Sequence, residues 1–113
     1  DFKVSEKQKT IDPTDQIEDL KITVRSLNKD DIKNRKLPNQ TTGLVITSIQ
    51  NNSPLAGSIE VNSIIVEAQK ERIKSIDDLK QITKQVLNSN QKTILLAIYN
   101  NQNQRRYIGI KLD

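Results

Sequence analysis

Fourteen carboxylates set among 18 lysines and arginines, with no histidine and no cysteine, limit the chemistry open to this chain of 113 residues. A serine or cysteine nucleophile activated by an imidazole cannot be assembled, because the base is missing. Zinc sites built from histidine and cysteine fall away for the same reason. A carboxylate pair acting as acid and base, or a serine activated by a lysine, survives in principle. Acidic residues, serines and lysines are so frequent here that such pairs arise from composition alone and mark no site. With only three glycines, Gly43, Gly57 and Gly109, no glycine-rich phosphate loop exists either. The sequence therefore predicts no catalytic residues, no metal and no cofactor, and its function is expected to lie in binding.

The formal charge is +4 and the isoelectric point near 9.4. Such a balance could serve an anionic partner, but the basic residues (Lys3, Lys21, Lys33, Lys70, Lys92) are scattered among acidic ones. Phe2, Tyr99 and Tyr107 are the only aromatic residues that could stack on bases, and no nucleic-acid motif surrounds them. Nucleic acid is therefore not an expected partner. No apolar run approaches the length of about 18 residues that a membrane helix needs, so no direct membrane insertion is expected. The absence of cysteine suits reducing and oxidising compartments alike. Asp1 rather than methionine at the start reads as a piece cut from a larger protein.

Hydrophobic residues make up 34% and mean hydropathy is −0.65, a deficit concentrated in the first sixteen residues. Residues 1–16, with Pro13, read as a linker or lead-in, and 17–113 as one domain. From Leu20 the pattern changes. Ile22 and Val24 alternate with Thr23 and Arg25, the period of a half-buried strand. Asn28 caps a short helix over 29–36, with Asp30 and Asp31 in its first turn and Lys33, Arg35 and Lys36 in its last. Leu44 to Ile49 is a strand, and Ser53-Pro54 suggests a second short helix that Gly57 stops. Ile64 to Ala68 is the next strand. Ser75 and Asp78 form a capping box before a longer helix over 76–88, whose Leu79, Ile82, Val86 and Leu87 follow helical spacing. Lys92 to Tyr99 and Gln104 to Leu112 complete the pattern as a hairpin. The order β-α-β-α-β-α-β-β predicts an α+β fold.

The central blocks carry more than a fold class. GLVITSI, SPLAG, SIEVNSIIVEAQ and IKSIDDLKQI, in that order and spacing, resemble the core of bacterial PDZ domains. The version is similar to the second, C-terminal PDZ domain of the HtrA/DegP family of serine endopeptidases, from about Ile17 to Asp113. The resemblance implies a small half-open barrel or sandwich of five to six strands, capped by two to three helices, in the circularly permuted bacterial arrangement. It also implies a periplasmic protein of the bacterial envelope and a protease as the parent.

PDZ domains add an extended peptide to a sheet edge beside a helix and hold its C-terminal carboxylate on successive backbone amides. On this chain the resemblance places the carboxylate loop at Asp19, Leu20, Lys21 and Ile22, and the edge strand at Ile22 to Arg25. The groove would be lined by Thr23, Val24 and Arg25 from the strand, and by Ile76, Lys80 and Thr83 from the helix. Partners would be peptides or unfolded-protein segments, and other domains or subunits of the parent protease. An alternative is an oligomerisation or regulatory module that docks on neighbouring subunits without capturing substrate. Two positions depart from the family. Lys21 stands where glycine is usual, which implies either a strained left-handed residue or a loop of another shape, with the ammonium available to the carboxylate. Ser58 to Ser63 replaces a block with two glycines, and Asn62 is the residue best suited to a left-handed turn there.

Overall fold

A computed structural model describes residues 14–90 and 92–112. Most of the lead-in read over 1–16 lies outside the described residues. The chain runs β1 (Thr14–Ile17), β2 (Ile22–Ser26), α1 (Lys29–Asn34), β3 (Leu44–Ile49), β4 (Ile64–Ala68), β5 (Glu71–Arg72), α2 (Ile76–Leu87), β6 (Thr93–Tyr99) and β7 (Arg105–Lys111). All pairings are antiparallel, in the order β1-β2-β3-β4-β6-β7, with the short β5 added to β4. The fold is α+β, an open sheet with helices on its faces.

Both helices start where their side chains dictate. Asn28 accepts a hydrogen bond from the Asp31 amide at 2.8 Å while the Asp31 carboxylate accepts from the Asn28 amide, and Ser75 and Asp78 repeat the exchange ahead of α2. Leu79, Ile82 and Val86 then turn one face of α2 into the core, against β1, β2 and β6. Unbroken apolar runs such as Leu44-Val45-Ile46 and Ile64-Ile65-Val66 occur because the middle strands are covered on both sides. Leu44, Ile46, Ile65, Leu96 and Ile98 join the core beneath α2. Val45, Ile64, Val66 and Ala97 pack with Leu27, Ile32 and Leu37 on the opposite face.

Three differences from the sequence reading matter. A strand, β1, reaches back into the segment read as lead-in, so β2 is not at the sheet edge. Seven strands are present where five to six were expected, the additions being β1 and the two-residue β5. The helix expected after Ser53 is a series of turns. Ser53 Oγ accepts from the Leu55 amide at 3.0 Å, Gly57 takes φ 84, and the Ile59 amide bonds the Leu55 carbonyl, which closes the segment before a helix can extend.

Candidate functional site

The geometry centres on the turn between β1 and β2. Its residues, Glu18 to Lys21, join Ile17 to Ile22, which face each other across the hairpin. Lys21 adopts φ 55, the left-handed conformation for which glycine is the usual choice, so the loop keeps that backbone shape with a lysine in place. Asn62, at φ 76, does the same for the turn before β4. Two bonds from the segment after β3 brace the loop: Ser53 Oγ donates to the Leu20 carbonyl at 2.6 Å, and the Gln50 amide donates to the Lys21 carbonyl at 3.0 Å. Ser53 is buried, so this brace is sheltered from water. It comes from the Ser-Pro turn that the sequence singled out, but its role is not readable there, because Leu20 lies 33 residues away.

Two of the loop amides already have acceptors. Leu20 N–H donates to the Ile17 carbonyl at 3.1 Å and Lys21 N–H to the Glu18 carbonyl at 3.2 Å. Ile17, 1% exposed, sits in the core with Leu20, Ile22 and Val24. The chain thus lays its own strand antiparallel along β2, with an aliphatic residue seated where the loop begins.

From the helix side, Lys80 Nζ reaches Asp15 Oδ2 at 2.5 Å. This hydrogen bond is the main reason the Asp15 carboxyl lies below the ordinary aspartate value, with the Gln16 amide adding to it. Lys80 is shifted upward by the same bond, with Asp77 and Glu18 as weaker contributors. Asp15, Gln16, Glu18, Asp19, Lys80 and Lys84 surround a shallow groove of about 360 Å³ at this junction. Ile76 packs against the core at the start of α2. Thr83, one turn after Lys80, is fully buried, its hydroxyl donating to the Leu79 carbonyl at 2.7 Å. Thr23 is half-buried opposite Gln16. Arg25 points elsewhere: its guanidinium grips Asp31 through two bonds of 2.6 and 2.8 Å and fastens β2 to α1.

Loop, strand and helix therefore meet here, with Leu20, Ile22 and Val24 buried in the core, Ile76 packed against it, Lys80 on Asp15, and Arg25 paired with Asp31 of α1. Sequence reasoning does not single out Asp15 and Ile17 as part of this junction. Their only signal is a two-residue alternation inside a polar stretch. Among the described residues no cluster of acidic side chains could hold a metal, and no helix is long and apolar enough to cross a membrane.

No family model matches the chain, and no curated protein matches its sequence. Solved structures do match. The HtrA-type protease AlgW with a decapeptide aligns at a TM-score of 0.59 and 18% identity, over 81% of this chain and 27% of that one. A variant of AlgW with a decapeptide gives 0.63 and 16%, over 92% of this chain and 30% of that one. At these identities the likeness establishes a shared fold, and this chain spans less than a third of the length of those proteases.

Proposed function

We propose that the chain is a non-catalytic PDZ-type module of an HtrA-like serine protease of the bacterial periplasm, and that it binds extended peptides by adding them along β2 beside α2. The observation that carries this reading is the pairing of β1 along β2, beside α2. A strand ending in Ile17 lies antiparallel to β2, its carbonyl on a loop amide and its side chain in the core beneath α2. Main-chain bonds of this kind align a strand, and the pocket under the terminal side chain selects it. The ordered sequence blocks support the family, and the fold shared with a peptide-bearing HtrA-type protease supports the parent.

A second reading, assembly without peptide capture, is favoured by the same pairing, because β1 already fills the edge of β2. Titration of the isotopically labelled chain with peptides ending in an aliphatic residue separates the two, each peptide tested as free acid and as amide. Saturable shifts of the Leu20 to Val24 amides with the free acids alone are expected for peptide capture. No shifts with either form, together with self-association in sedimentation, would leave the assembly reading standing.

A further inference from the structure

The strand lying on β2 has the attributes of a ligand. It runs antiparallel to β2 and ends at the loop. Its last side chain, Ile17, is buried, and the last carbonyl takes the Leu20 amide at 3.1 Å. Alternation puts Asp15 on the same face as Ile17, and there it meets Lys80 of α2. Gln16, between them, is exposed. A peptide with the same side chains would make the same contacts, and its terminal carboxylate would offer the loop charged acceptors in place of one neutral carbonyl. Charge-assisted bonds of that sort are the stronger ones.

Apart from the buried Ile17, the described part of the strand has few anchors. Among the described residues it is four residues long and paired on one side only, and its ion pair to the helix joins partners that are 35% and 51% exposed. Exposed pairs of this type are weak and are screened by salt. Its advantage is the tether, which presents it at a high effective concentration.

Resting on the peptide-binding reading above, we infer that β1 is a tethered stand-in for the ligand that must leave β2 before a peptide binds. We further infer that its sequence Asp15-Gln16-Ile17 reports the preferred ligand, an aliphatic C-terminal residue preceded two positions earlier by a carboxylate that pairs with Lys80. The turn at Glu18 and Asp19, both exposed, is where the strand swings away. Occupation by β1 lowers the apparent affinity by the fraction of molecules in which the slot is open. Lys80 then sets the charge preference at the position two before the C-terminus.

A reversible lock tests the displacement. Gln16 and Thr23 face each other across the hairpin, and the chain has no cysteine of its own. The double variant Gln16→Cys/Thr23→Cys can therefore be closed by one disulfide. A peptide ending in Asp-Gln-Ile with a free carboxylate should bind the reduced form and not the oxidised one, with thermal melts showing both forms folded. Asp15→Ala should tighten binding about two- to five-fold by removing the strand's ion pair. Adding Lys80→Glu to Asp15→Ala should reverse the preference toward a peptide ending in Lys-Gln-Ile. Equal binding to the oxidised and reduced forms would overturn the displacement while leaving peptide binding intact. An unchanged preference in the double charge variant would overturn the role of Lys80. No binding to wild type, Asp15→Ala or the reduced variant would overturn the peptide-binding reading, and this inference with it.

Discussion

Lys21 has φ 55 in the loop that begins β2, where a side chain with a Cβ crowds the following carbonyl. Glycine would relieve a cost of about 1–2 kcal/mol and would give back part of it through the greater freedom of the unfolded chain. Lys21→Gly is therefore expected to raise stability by about 0.5–1 kcal/mol, read as a higher urea midpoint with an unchanged slope. A lower midpoint would mean that the lysine side chain makes a compensating contact. The same residue shows what sequence can and cannot supply. That lysine stands at a glycine-type position is what the resemblance to PDZ domains implies. Ser53 and Gln50 brace the loop from the turn after β3, and their contact with it is not readable in sequence. Asn62 was easier to read, because asparagine tolerates its φ of 76 by local means alone.

The elements most legible in sequence are those with local causes. The two capping boxes place the starts of α1 and α2, and the apolar runs place β3 and β4. β1 is hard to read because four polar-leaning residues carry too little periodicity, and only its pairing with β2 makes it a strand. The helix expected after Ser53 stops at once for local reasons: Ser53 Oγ takes the Leu55 amide as a cap would, but Gly57 turns the chain at φ 84. Gly43, which opens β3, was legible as a glycine-led strand but not as a close approach. A Cβ built on it would lie 2.5 Å from the Ile65 carbonyl oxygen and 3.1 Å from Ile64 Cγ2. The backbone oxygen cannot yield as a side chain could, and β3 and β4 are joined in register at only two pairs, Leu44 with Ile65 and Val45 with Ile64. Gly43→Ala should therefore push these strands apart and cost about 1–3 kcal/mol, measured by chemical denaturation. A loss below a few tenths of a kcal/mol would show that the strands can shift without penalty.

At the scale of the whole molecule, a few polar clasps hold the layers in place. Arg35, just after α1, donates to the carbonyls of Asn62 and Asn100 at 2.5 and 2.6 Å and to Asn103 Oδ1 at 3.1 Å, joining α1 to two distant turns. Arg25 and Asp31 join β2 to α1, and Lys80 and Asp15 join α2 to β1. Two of these clasps titrate. Arg25's hydrogen bonds are the largest reason that Asp31 lies below its ordinary value of 3.8, with the Asn28 amide and the charges of Arg25 and Arg35 reinforcing them against partial burial. Asp15 is lowered chiefly by Lys80. A carboxyl whose folded value lies below its unfolded one adds stability that is complete above the unfolded value and disappears as pH falls through the folded one. Lys80 has the opposite sign: its contribution is present below the ordinary lysine value of 10.5 and is lost as pH rises past its raised folded value. With no histidine in the chain, the side chain whose ordinary value lies between these limbs is absent. Urea midpoints should accordingly be flat from about pH 5 to pH 9 and fall below about pH 4. Asp31→Asn should lower the plateau and shrink the acid limb, because the group that titrates there is gone. If its acid limb matched that of wild type, the clasp between Arg25 and Asp31 would not be a source of acid sensitivity.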